Sequence, residues 1–186
     1  MRDRFIANLE THILKSKKKI ILITGDLGFG VLNNFIINYP DNFINAGVSE
    51  QNMMGVAAGL ASQGAKVIVY SIGNFPTLRC LEQIRNDVCY HNLDVKIVSV
   101  GAGFSYGPLG MSHHSTEDIG VMKVLPNMEI LSPSTFKEVD YISNHIMNHE
   151  TPSFIRLDKS VVTCDGKITN NFTQFNKGKN ICIVST

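Results

Sequence analysis

Ile20-Ile-Leu-Ile-Thr24 runs directly into Gly25-Asp-Leu-Gly-Phe-Gly30, an apolar β-branched run that ends in a glycine-rich turn, and this junction decides how the chain folds. Apolar residues at consecutive rather than alternate positions suit a strand covered on both faces, as in a parallel sheet between helical layers. Runs of the same kind recur at 43–46, 66–70, 95–100, 128–131 and 153–157. The segments between them are long enough for helices, predicted over 2–17, 30–38, 50–63, 77–91, 117–124 and 135–149. Strands alternating with helices imply an α/β domain, a three-layer α/β/α sandwich with a mainly parallel sheet of about six strands.

The composition sets bounds on this reading. A chain of 186 residues, 44% hydrophobic and 18% charged, has the balance of one globular domain and is too apolar to be intrinsically disordered. Lys and Arg number 17 against 16 Asp and Glu, a net charge of +1, so no overall field draws the protein to nucleic acid or to an anionic membrane. Lys15, Lys17, Lys18 and Lys19 form a local basic cluster, expected to solvate a helix end and favour its dipole. Cys80, Cys89, Cys164 and Cys182 lack C-x-x-C spacing, which argues against a zinc knuckle, a thioredoxin site or a disulfide framework, and for the cytoplasm. Neither a signal-type segment nor an apolar stretch of about 18 residues is present, so secretion and membrane insertion are not expected. The folded domain is expected over 1–160. Residues 161–186 read as an Asn-rich linker followed by an apolar run at 181–184, the start of an absent further domain.

Two long connections, Gly25–Gly30 and the segment GAGFSYGPLGMSHHST from Gly101 to Thr116, follow predicted strands, the position of binding loops in an open parallel sheet. Common nucleotide fingerprints fail. Gly28-Phe-Gly30 is followed by Asn33 where a third glycine is needed, Gly101-Ala-Gly103 leads into Pro108, and neither a Walker loop nor a nucleophile elbow occurs. His113, His114, Glu117 and Asp118 have spacings that could ligate zinc on a helix. No other His or Cys is placed to complete a closed set, and Ser115-Thr116-Glu117-Asp118 reads more simply as a capped helix start, so no metal site is assigned. Glu50 carries more information. It opens a helix whose Gly55, Ala57, Ala58, Gly59 and Ala61 lack bulk and admit another backbone, and it follows the turn Asn45-Ala-Gly47-Val-Ser49.

Gly47-Val-Ser-Glu-Gln-Asn-Met-Met-Gly-Val-Ala-Ala-Gly-Leu-Ala61 resembles the pyrimidine-binding domain of transketolase-like thiamine diphosphate enzymes. So do Gly25-Asp-Leu-Gly28, Glu82-Gln-Ile-Arg-Asn-Asp87, Gly107-Pro-Leu-Gly-Met-Ser-His113 and Glu117-Asp-Ile-Gly-Val-Met-Lys-Val-Leu-Pro-Asn-Met128, in family order and spacing, so that the resemblance spans nearly all of residues 2–159. The fold it implies is the pyrimidine module of the thiamine diphosphate-binding fold. Glu50 is then the catalytic carboxylate facing the pyrimidine nitrogen remote from the thiazolium, where proton exchange favours the imino tautomer that removes the thiazolium C2 proton. Phe75 matches an aromatic that packs on the pyrimidine, and Ile72 stands where the family often has another. Asp26 matches a residue near the cofactor and the dimer interface. His113 matches one that reaches the substrate.

The departures narrow the substrate. Members acting on phosphorylated ketoses usually carry His at the position of Gly101, Asp at that of Leu109 and often Ser near that of Gly30, so the resemblance does not extend to an ordinary pentose-phosphate transketolase. Arg156, Arg2 or Arg4 are left as candidates for an anionic group. The family's diphosphate motif, a GDG followed by a double Asn, is absent, so thiamine diphosphate and its Mg²⁺ are expected to need a separate diphosphate-binding subunit, in a homodimer or heterotetramer. The expected function is two-carbon ketol transfer by a split transketolase. Alternatives are a deoxyxylulose-phosphate-synthase-like reaction, a non-catalytic assembly module and, weakest, a stand-alone nucleotide-binding domain.

Overall fold

The computed structural model describes residues 1–159, 167–168, 173–174 and 178–179. Its sheet contains β1 (Ile20–Thr24), β2 (Phe43–Asn45), β3 (Lys66–Ile72), β4 (Val95–Val100), β5 (Glu129–Leu131) and β6 (Ser153–Leu157), close to the bounds expected from the apolar runs. The strand order is β2-β1-β3-β4-β6-β5, and each adjacent pair is parallel. In β1, β3 and β4 nearly every side chain is buried, which is why these strands read as unbroken apolar runs, whereas the edge strands β2 and β5 are short and half-buried.

Helices cover both faces. Ile21, Ile23, Val67, Val69, Val95 and Ile97 pack under α3 (Glu50–Ser62), α4 (Leu81–Gln83) with the π-helical turn Ile84–Cys89 that continues it, and α5 (Asp118–Lys123). On the other face Ile20, Leu22, Ile68, Tyr70, Val98 and Ile155 pack against α1 (Arg2–Ile13), α2 (Asn33–Asn38) and α6 (Phe136–Asn148). Helix α6 opens with a capping box, in which the Glu138 N–H donates to Thr135 Oγ1 and the Glu138 carboxylate accepts from the Thr135 N–H.

The deviations have local causes. Helix α1 stops at Ile13 rather than at 17, and Ser16 Oγ then bonds the Lys18 N–H and carbonyl in a tight turn, so the basic cluster lies beyond the helix end. The helix expected over 77–91 divides into a 3₁₀ turn (Leu78–Cys80), one α-turn and the π-turn, whose wider ring lets the Tyr90 N–H reach the Arg85 carbonyl. Most unexpected are Lys66 and Lys96, buried inside the predicted apolar strands. Within the expected linker, β7 (Lys167–Ile168) and β8 (Thr173–Gln174) pair antiparallel. The run at 181–184, Cys164 and Cys182 lie outside the described residues. No helix among the described residues is long and apolar enough to cross a membrane.

Candidate active site

The chain leaves β1 toward β2 on one side of it, while β3 lies on the other, so the carboxyl ends of β1 and β3 flank a switch point where loops open a crevice. The loop after β1 places Asp26 at φ +57°, a left-handed conformation that Asp tolerates. Its N–H donates to Asn45 Oδ1 at 2.9 Å, Asn45 Nδ2 donates back to Asp26 Oδ1 at 3.2 Å, and Gly47 N–H donates to the same Asn45 oxygen at 3.0 Å. One amide thus stitches the loops after β1 and β2 together at the entrance to α3.

Glu50 is the first residue of α3, where a carboxylate is favoured by the helix dipole. Its side chain is only 8% exposed and accepts a hydrogen bond from Arg79 Nη1 at 3.1 Å. The Arg79 guanidinium in turn lies over the ring of Phe75, with Cζ 3.8 Å from the centroid. Phe75 meets His113 edge to face at 5.0 Å, and His113 Nδ1 is 3.0 Å from Ser112 Oγ. The loop carrying His113 closes on the end of β3 because residue 73 is glycine: a Cβ there would sit 2.7 Å from the His113 carbonyl oxygen. Glu50, Phe75 and His113 therefore form one continuous strip. Among the described residues Asp26 shares no hydrogen bond or ring contact with this strip and is held instead by Asn45. By strand alternation Ile72 belongs to the face of Ile68 and Tyr70, opposite Val69, although its carbonyl accepts the Phe75 N–H at 3.0 Å.

Arg79 was invisible as a site residue in the sequence; its one signal is a position four residues after Phe75 in a segment expected to be helical. Tyr106 was missed as well. Its ring occupies the space over Gly101, where an added Cβ would come within 2.1 Å, so an aromatic fills the room that a larger residue at 101 would take. Tyr106 is 6.1 Å from the His113 ring and carries the Lys159 ammonium 4.2 Å from its own centroid. Lys159 also lines a cavity of about 660 Å³ with Arg2, Arg4, Phe136 and Asp140. That cavity does not include Glu50.

Other expectations change. Arg156 is spent on structure: Nε donates to Asp118 Oδ2 at 2.9 Å and Nη2 to the Ser115 carbonyl at 3.2 Å, which leaves its side chain 11% exposed. Arg4 holds Asp140 through two bonds of 2.7 and 2.8 Å, and Arg2 pairs with Asp3. Asp118 is buried, accepting also from Ser115 Oγ and the Ile119 N–H, and His114 Nε2 lies 3.2 Å from the Gly107 carbonyl. Among the described residues no group of three or more His, Cys, Asp or Glu side chains is placed to hold a metal ion. Nor does Ser115 or Thr116 cap α5, which starts at Asp118 without a side-chain cap.

Next to Glu50, burial pushes the Cys80 thiol up to about 12, with the Glu50 charge adding to the effect, so this sulfur stays protonated and is no nucleophile. Among the described residues, Ser71 Oγ, Asn74 Oδ1 and Gln83 Oε1, at and after the end of β3 and on α4, are buried without hydrogen-bond partners, as is Asp94 Oδ2 at the opposite end of the sheet.

Residues 5–163 match the family model described as transketolase, pyrimidine binding domain. One of the subunits of an apulose-4-phosphate transketolase from Actinobacillus succinogenes is 42% identical over 158 residues, covering 85% of this chain and 50% of that one. A subunit of a 6-deoxy-6-sulfo-D-fructose transketolase from a Clostridium species is 30% identical over 157 residues, covering 84% and 49%. Among solved structures, a split-gene transketolase in an inactive β4 tetramer superposes with a TM-score of 0.77 at 32% identity, covering 94% of this chain and 55% of its own. The chain spans about half the length of these relatives.

Proposed function

The chain belongs to the transketolase pyrimidine-binding domain family, and from that premise we propose that it is the pyrimidine-binding part of a thiamine diphosphate-dependent, transketolase-like enzyme that transfers a two-carbon ketol unit. The observation that carries this reading is Glu50, a nearly buried carboxylate at a helix start whose side-chain partner, Arg79, lies on the face of Phe75. Bound thiamine diphosphate would supply a nucleophilic thiazolium carbon, chemistry that protein side chains lack. Glu50 would hold a proton at the pyrimidine nitrogen and pass it back and forth, while Phe75 stacks on the ring and fixes its tilt. Asp26 holds the loop at the entrance to α3. His113, braced by Ser112 and Phe75, is the base or hydrogen-bond donor on the substrate side.

The diphosphate and Mg²⁺ are assigned to a separate subunit, consistent with the split organisation of the relatives. Phe29, Val48, Phe104 and Met111 on the rim loops are between 69% and 84% exposed, an apolar surface of the kind that association buries. A homodimer or heterotetramer built on this rim would close the crevice around the cofactor. The relatives named above act on a phosphorylated and a sulfonated sugar, and here Tyr106 and Lys159, rather than a histidine at 101, form the neighbouring wall. The donor is therefore assigned to the class of anionic ketoses.

Calorimetric titration of thiamine diphosphate with Mg²⁺ tests this, using the chain alone and mixed with a diphosphate-domain subunit of this family. The expected result is binding in the mixture and ketol transfer that falls by about 10²–10⁴-fold in Glu50→Gln, the usual contribution of a positioned proton-transfer group. A pair that assembles yet binds no cofactor would sink the catalytic reading in favour of an assembly module.

A further inference from the structure

Arg79 makes, with one side chain, both contacts that the proposed site offers to a pyrimidine. Its guanidinium carbon Cζ lies over the Phe75 ring, 3.8 Å from the centroid, while its Nη1–H donates to Glu50 Oε1 at 3.1 Å. A guanidinium is flat and delocalised, stacks on aromatic faces and presents N–H groups along its edge. An aminopyrimidine stacked on the same side of Phe75 with its ring nitrogen at Glu50 would occupy the same volume, so the two exclude each other. Among the described residues the guanidinium has no other hydrogen-bond partner, and the side chain is 44% exposed on the 3₁₀ turn Leu78–Cys80, so it can swing outward on its flexible stem.

We propose that Arg79 is a seat-holder: it takes the pyrimidine position until the cofactor enters, satisfies the Glu50 carboxylate there, and is displaced when the cofactor binds. The proposal rests on the pyrimidine-site reading and adds a positioning residue to it. A carboxylate taken out of water without a partner is costly, and Arg79 removes that cost before assembly. The same contact makes the free chain a poor cofactor binder, so occupancy of the site is tied to assembly with the subunit that contributes the diphosphate contacts.

The test is the calorimetric dissociation constant of thiamine diphosphate with Mg²⁺ for the reconstituted two-subunit complex, in wild type, Arg79→Met and Arg79→Lys. Because the displaced interaction is a charge-assisted hydrogen bond plus a cation–π contact, Arg79→Met is expected to bind about five- to twentyfold tighter. Arg79→Lys, which keeps the charge but loses the plane, is expected to fall between Met and wild type. Unchanged or weaker binding in Arg79→Met, with wild type binding normally, would overturn the seat-holder and leave the pyrimidine site intact. If wild type binds nothing while the complex forms, the site reading fails and the seat-holder with it.

Discussion

The two edges of one sheet treat buried charge in opposite ways. At the amino edge, Lys66 Nζ donates to Asp94 Oδ1 and to the Ile146 and His149 carbonyls, each at 2.8 Å, tying down the last turn of α6. Lys96 Nζ pairs with the same Asp94 oxygen at 3.1 Å and donates to the Thr151 carbonyl, while Lys18 approaches Asp94 from outside at 3.7 Å. The Lys66 and Lys96 side chains are 0–3% exposed and find their partners within the chain, while the second carboxylate oxygen, Asp94 Oδ2, accepts no hydrogen bond among the described residues and faces Lys18 at 3.7 Å. At the carboxyl rim, Glu50 has a single side-chain partner among the described residues, and that partner is long-armed and half-exposed. A charge enclosed by carbonyls at the ends of its own elements is a fastening. One left half-satisfied beside an aromatic face is available for chemistry.

Substitution at each edge should separate these roles, and the greatest loss of stability is expected at the amino edge. Asp94→Ala leaves two buried lysines facing each other and should cost about 3–5 kcal/mol in urea-induced unfolding, the usual result of breaking a buried ion pair from one side. If it costs under about 1 kcal/mol, the fastening reading is wrong.

The next effect is read against pH. Burial, helped by the neighbouring Lys66 charge, lowers the Lys96 ammonium to about 8, against 10.5 for an ordinary lysine. Between those values the unfolded chain holds a proton that the folded chain has released, so this lysine's contribution to stability rises with pH, by about 3 kcal/mol over the whole window. Cys80 and Cys89, raised by burial to about 12 and 11, act in the opposite direction above about pH 9. The informative quantity is therefore the stability of wild type minus that of Lys96→Met, in which the cysteine effects cancel; it should rise from pH 8 to 10.5. A flat difference would show that Lys96 titrates normally.

Gly101→Ala probes the rim's own architecture. Its Cβ would enter the Tyr106 ring, and the residue sits at φ +95°, so a loss of about 1–3 kcal/mol is expected. Combining it with Tyr106→Ala should recover part of that loss, because the ring is then gone. The smallest change in stability is expected for Glu50→Gln, within about 1 kcal/mol, since the partner is half-exposed and the amide still accepts a hydrogen bond. Low activity with intact folding in this variant, set against intact activity per folded molecule in a destabilised amino-edge variant, would complete the contrast.

Much of this molecule was legible in short windows of sequence. The apolar runs marked every strand of the main sheet, most plainly β1, β3 and β4, because residues buried on both faces leave a local signature. Glu50 was legible as the first residue of a helix following a turn. What the sequence could not show are pairings between distant segments: Glu50 with Arg79, Arg156 with Asp118, Lys96 with Asp94, and the ring of Tyr106 over Gly101. Arg156 looked available for a ligand until Asp118 consumed it, and Lys66 and Lys96 lay hidden within strands that read as apolar. Periodicity is set by residues a few positions apart and survives in the sequence alone. Whether a charged side chain is fastened or left open depends on which helices pack over which end of the sheet, and only the tertiary structure decides that.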